Sequence, residues 1–202
     1  MSAGMIVFVR DRARTRIAAA AAATALVLAT GACGSDSATG PGNPDSAATD
    51  YEQALADAPA PLADLYEQAN RILPGGLPAY EERIAGLEGY PVVVNKWASW
   101  CGPCRAEFPF FQKLAAERGE EIAFLGIDAQ DADDAAATFL SELPVPYPSY
   151  SDPDLEISKE LDVEREFPST IFYDASGEIA YVHRGGYQEQ ADLEADIDRY
   201  AR

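Results

Sequence analysis

The longest signal along this chain is an alternation of largely apolar runs with segments of helical spacing. Val92-Val93-Val94 is a β-branched run of the kind buried on both faces of a sheet, and it opens a strand expected over residues 92–99. A helix-forming stretch follows at residues 101–118, and then a second apolar run at 122–129. Two buried strands joined by a helix make a βαβ unit, parallel and right-handed. Residues 133–143 have helical periodicity, with Ala135, Phe139, Leu140 and Leu143 as the expected inner face. Residues 143–150 carry three prolines and read as extended, and a short helix is expected at 154–161. Strands at 170–173 and 179–184 are joined through Asp174-Ala-Ser-Gly177, a hairpin signal, and a closing helix spans 188–200. Upstream, residues 51–73 read as helical, broken near Pro59 and Pro61. Leu62, Leu65, Ala69, Ile72 and Leu73 form one stripe there, and Pro74-Gly75-Gly76 ends it. A further amphipathic helix is expected at 78–87.

The first fifty residues follow other rules. Arg10, Arg12, Arg14 and Arg16 precede an Ala/Leu/Val stretch at residues 17–29, and then comes Thr30-Gly31-Ala32-Cys33-Gly34-Ser35. A positive start, a short apolar core and small residues near a break describe a secretory signal. The core is shorter than the roughly 20 residues of a membrane span. A Cys directly after small residues resembles a bacterial lipoprotein cleavage site, which would make Cys33 the lipidated first residue of the mature chain. Thr30 departs from that pattern, which usually has Leu there. An uncleaved signal anchor and a third redox cysteine are the rival readings of this region. Residues 34–50 contain no large apolar side chain and are rich in Gly, Pro, Ser and Asp, as a flexible tether is. The expected organisation is a signal at 1–32, lipid site and tether at 33–50, a helical extension at 51–74 and one domain at 75–202.

Composition narrows the partners. Thirty-four acids against 15 bases give the 202-residue chain a net charge of −19. Removing residues 1–32 deletes four Arg and one Asp, leaving 11 bases, 33 acids and a net −22. Such a surface argues against nucleic acid as a partner. The cysteines are Cys33, Cys101 and Cys104, and His183 is the single histidine, too few ligands for a structural metal site.

The candidate chemistry lies in Trp97-Ala-Ser-Trp-Cys-Gly-Pro-Cys104. Cys101 would stand at the N-terminus of the helix that follows, where free amides and the helix dipole favour thiolate over thiol. Cys104 would return on the first turn, and Pro103 suits that turn because its missing N–H has no helical partner to lose. A plain structural disulfide is the bland alternative. Glu107 lies three residues after Cys104, on the same helix face, among Phe108, Phe110 and Phe111. A desolvated carboxyl there could exchange protons with a thiol; an ordinary first-turn acid is the competing reading. Trp100 offers apolar contact area near Cys101, whereas Trp97 is expected in the core. Pro109, inside the helix, predicts a kink. Lys96, on the motif strand, has no evident role, and His183 reads as an ordinary strand residue.

With the stretch from Trp97 through Pro109 and the later Phe167-Pro168-Ser169-Thr170, the chain resembles the thioredoxin-fold thiol–disulfide oxidoreductases of the extracytoplasmic TlpA/ResA/DsbE-like group over roughly residues 75–200. The resemblance implies an α/β, thioredoxin-like fold: a central mixed sheet, βαβ then ββα, flanked by helices, with a helix–strand segment inserted at about 131–165. It implies Cys101 as nucleophile, Cys104 as resolving cysteine and Glu107 in the proton traffic that cytosolic thioredoxins assign to a strand Asp, here Asn95. It also implies a cis Phe167–Pro168 bond facing the dithiol, with Trp100, Gly102, Pro103, Phe167 and Pro168 touching substrate. No dissociable cofactor and no metal are expected, because the redox-active disulfide itself carries the electrons. The implied partners are disulfide-containing exported proteins, among them apocytochrome c for some members, and an integral membrane thiol-transferring electron donor. The implied location is extracytoplasmic, at the membrane through the lipid anchor. Thiol oxidation of exported proteins is the same chemistry reversed. A peroxiredoxin-type peroxidase would need a Pro-x-x-x-Thr-x-x-Cys loop, absent here, and a non-enzymatic binding module would not need the intact Cys pair.

Overall fold

The computed structural model describes residues 51–202, so the expected signal, Cys33 and the tether lie outside the described residues. The elements run in the order α1 (Ala60–Tyr66), β1 (Ile72–Leu73), α2 (Gly76–Gly86), β2 (Val92–Trp97), α3 (Gly102–Arg118), β3 (Ala123–Ala129), α4 (Asp133–Glu142), β4 (Ser149–Asp152), α5 (Glu156–Glu160), β5 (Ser169–Tyr173), β6 (Ile179–Arg184) and α6 (Gln190–Tyr200). The strands form one sheet in the order β1-β4-β3-β2-β5-β6. β2 pairs with β3, β3 with β4 and β4 with β1, all parallel, while β5 pairs antiparallel with β2 and with β6.

β2 is central and every residue in it is buried, as its apolar run requires. Its side chains alternate between the two faces of the sheet. Asn95 and Trp97 point toward α3, where Asn95 reaches Glu107 and Trp97 packs on Phe108 with ring centroids 5.3 Å apart. Trp97 also stacks on Phe139 of α4 at 4.9 Å, and its indole N–H donates to Ser149 Oγ at 3.0 Å. The close approach over β3 is possible because residue 126 is Gly: a Cβ there would collide with Ser149. The inserted segment contributes α4, β4 and α5, and β4 extends the sheet on the parallel side.

Two expectations are corrected. Ile72 and Leu73 do not continue the helical stripe of Leu62 and Leu65; they form β1, an edge strand paired with Ser149 and Tyr150. Asn70 explains the change. It adopts φ 59°, which ends the helical path, and it is tied to the segment before β4. Its backbone N–H donates to Tyr147 O at 3.0 Å, and its Oδ1 accepts from Val145 N–H at 3.0 Å. The inner face of α4 is Ala136, Phe139 and Leu140; Ala135 and Leu143 are half-buried. Pro109 lies within α3, which continues past it to Arg118.

Candidate active site

Cys101 caps α3: its backbone is extended (φ −85°, ψ 106°) and its Sγ accepts the N–H of Cys104 at 3.1 Å. The two cysteines are joined in a disulfide with Cα atoms 5.2 Å apart. Cys104 has no exposed surface, and Cys101 retains only 4%. Entry of the chain into the helix at Cys101 does not leave that sulfur open in the disulfide form, because the helix cap draws both sulfurs into the first turn.

Glu107 is completely buried one turn along α3. Its Oε1 accepts from Asn95 Nδ2 and its Oε2 from the backbone N–H of Tyr187, both at 2.9 Å. Burial pushes its pKa up to about 7, against the lowering effect of those two bonds. The enclosure differs from the expected wall of phenylalanines. Phe108 packs on Trp97 and Phe139, whereas the loop after β6 closes over the carboxyl. Gly185 takes φ 104° and donates its N–H to Pro168 O at 3.0 Å. A Cβ on Gly186 would lie 3.4 Å from Pro168 Cγ, 3.5 Å from Pro103 Cβ and 3.6 Å from Glu107 Oε2. That glycine thus sits where the Cys-Gly-Pro-Cys turn, Pro168 and Glu107 converge.

The Phe167–Pro168 bond is cis. Phe167 meets Trp100 with ring centroids 4.8 Å apart, and Trp100 is 57% exposed while Trp97 is buried. Gly102 and Pro103 are exposed on the first turn beside them.

Three groups at this site had no role in the sequence reading. Tyr187, 80 residues from Glu107, supplies a donor to it and is steadied by its hydroxyl bond to Asp196 at 2.8 Å and by stacking on His183 at 4.0 Å. Asp131 accepts both the backbone N–H of Ser99 and, at 2.9 Å, its hydroxyl, and Trp100 Nε1 donates to Gln130 O at 2.9 Å. The loop after β3 thereby clamps the loop that carries Cys101. Behind it, Asp128 is buried, and desolvation together with the carboxylates of Asp131, Asp133 and Asp152 pushes its pKa up to about 8. Lys96 is fully buried and donates to Val163 O at 2.6 Å and Glu166 O at 2.9 Å. Burial pulls its amine down to about 8, partly offset by Glu166, Asp152 and Glu164. The only sequence signal for these groups was residue type: a Lys within a mostly apolar strand, and acids at a strand end.

The sequence matches the Redoxin family over residues 82–197, more than half of its length. The chain belongs to the Redoxin family. This redoxin is 34% identical over 106 residues to the thiol-disulfide oxidoreductase ResA of Oceanobacillus iheyensis, a match covering 51% of this chain and 54% of the relative, so it spans about half of that relative's length. It is 34% identical over 138 residues to the thiol:disulfide interchange protein DsbE of Escherichia coli K12, covering 68% of this chain and 69% of the relative. Among solved structures, it is similar to a secreted Mycobacterium tuberculosis disulfide oxidoreductase homologous to E. coli DsbE. The TM-score is 0.52 at 26% identity, over 57% of this chain and 85% of that one. This redoxin is a thioredoxin-fold protein of the TlpA/ResA/DsbE-like oxidoreductase group.

Proposed function

We propose that this redoxin exchanges dithiol for disulfide with exported proteins, working as a reductase on the outer side of the membrane. The observation that carries the reading is the Cys101–Cys104 disulfide at the N-terminus of α3, with a buried, easily protonated Glu107 one turn on. In the reduced protein, the Cys101 thiolate attacks one sulfur of a substrate disulfide. A mixed disulfide forms and the first substrate thiolate leaves, taking up a proton. Cys104 then loses its proton and attacks Cys101 Sγ, which releases the second substrate thiol and re-forms the Cys101–Cys104 disulfide. Two electrons and two protons pass from dithiol to substrate, and no dissociable cofactor is required. Glu107 takes the Cys104 proton, and its position in a water-poor pocket suits that task. The helix N-terminus stabilises the Cys101 thiolate. Trp100, Gly102, Pro103, Phe167 and Pro168 form the surface on which the substrate chain lies, with the Phe167 backbone pairing to it as an added strand.

The signal-like first 32 residues and Cys33 support a lipid-anchored, extracytoplasmic location, and the similar Mycobacterium tuberculosis protein is described as secreted. No helix among the described residues is long and apolar enough to cross a membrane. Electrons would come from an integral membrane thiol transporter, and apocytochrome c is a substrate suited to this chemistry.

Trapping tests the exchange. Cys104→Ser should accumulate mixed disulfides with exported proteins and Cys101→Ser should not; equal trapping by both would overturn the role assignment. The dithiol potential tests direction. A value near the roughly −270 mV of thioredoxin supports the reductase, and one near the roughly −120 mV of DsbA would make the protein an oxidant of exported thiols.

A further inference from the structure

Lys96 is a buried charge on the motif strand that the exchange steps leave unused. In β2 it pairs with Ser169, the first residue of β5. From there its side chain runs to the segment connecting α5 to β5, which leads into Pro168. Its Nζ bonds the carbonyls of Val163 and Glu166 and lies 3.5 Å from the centroid of the Phe167 ring. An ammonium has three donors and accepts nothing. Two carbonyls and one ring face give it three partners. A buried ammonium is tolerated only when its donors are satisfied. Residues 163–167 therefore cannot move off Lys96 without stranding a charge in the interior. Phe167 in turn meets the exposed Trp100, the neighbour of Cys101. A continuous path of contacts thus joins the buried amine to the apolar surface beside the dithiol.

We infer that Lys96 is a positioning residue that holds Phe167 against Trp100 and so sets the shape of the aromatic platform receiving a protein substrate beside Cys101. The inference rests on the exchange reading above. An apolar residue could fill the same volume, but it would leave two buried carbonyls without a donor and would free the ring. Two adjoining rings, one largely exposed, suit an extended peptide with an aliphatic or aromatic side chain next to its cysteine.

The test is steady-state reduction of insulin with dithiothreitol recycling the protein, comparing wild type with Lys96→Met, Phe167→Leu and the double variant. Lys96→Met keeps the length of the stem and removes the charge and donors. Its KM for insulin should rise about fivefold, the cost of immobilising one freed side chain on binding, while kcat changes less. Phe167→Leu should act in the same direction, and the double variant should be no worse than the weaker single one, since both act through one ring. Lys96→Arg should recover part of the lost KM. An unchanged KM in Lys96→Met, or additive effects in the double variant, would overturn the inference. Should Lys96→Met melt below the assay temperature, Lys96→Gln takes its place: a raised KM that is non-additive with Phe167→Leu supports the inference, and an unchanged KM or additive effects overturn it. Failure of the wild type to reduce insulin at all would instead overturn the exchange reading and this inference with it.

Discussion

The carboxyl of Glu107 sits where two amide donors reach it and water does not. Its residue type and spacing from Cys104 were legible in the sequence; its partners were not, because Tyr187 comes from 80 residues away. Two consequences follow from the charge it carries above its shifted pKa. An anion near a thiol opposes thiolate formation, so Glu107→Gln should lower the apparent thiol pKa values and flatten the pH dependence of exchange. Thiol alkylation across pH measures this, and superimposable curves would reduce Glu107 to an ordinary first-turn acid. The second consequence concerns stability, measured on the disulfide form so that no thiol titrates. The folded carboxyl holds its proton up to about pH 7, against an ordinary value of 4.5. The folded state therefore binds more protons than the unfolded state between those values, and stability is lost as pH rises through that window. The total is about 3 kcal/mol. Gln has no such titration. It can also be accommodated, because Asn95 Oδ1 lacks a partner and a rotated Asn95 amide would accept from the new side chain. Urea unfolding should show Glu107→Gln gaining on wild type from pH 4 to pH 8; parallel stabilities at the two pH values would contradict the buried-carboxyl account.

Among the elements, the strand–dithiol–helix unit was readable because its parts are contiguous: a β-branched run, a cap, a proline-tolerant first turn and an amphipathic helix. The connecting loops were not readable, since their partners are set by the sheet. The loop after β3 holds the Cys101 loop through Asp131 and Gln130, and only the parallel register of β2 and β3, with Trp97 opposite Asp128, brings them together. Asp131→Ala removes the acceptor of the Ser99 amide and hydroxyl and also relieves the repulsion on Asp128. Charge-assisted bonds are worth about 1.5–3 kcal/mol each, and the relief offsets part of that. The expected net loss is about 1–2 kcal/mol, read as a drop of several degrees in melting temperature. The Asp128 carboxyl should also titrate lower. An unchanged or raised melting temperature would show that the clamp does not hold the redox loop.

For the whole molecule, the proposed lipid anchor at Cys33 would decide where the chemistry acts. Cys33→Ser should abolish incorporation of labelled palmitate and release the protein from membranes in a bacterial host; a wild-type mature chain beginning at any residue other than Cys33 would refute the lipid site. The acidic composition, the order of elements from α2 onward and the dithiol motif were all legible in the sequence alone. Each is written in local composition or in a period shorter than one element. Tertiary structure decided what depends on residues far apart in the chain. It made Ile72 and Leu73 an edge strand, because Asn70 is bound to the segment before β4 rather than to its own helix. It closed Gly186 and Tyr187 over Glu107. It gave Lys96 its place under Phe167, through carbonyls 67 and 70 residues downstream. A buried charge has meaning only through the partners that satisfy it, and pairing over such separations is fixed by sheet register and burial, not by the residues on either side.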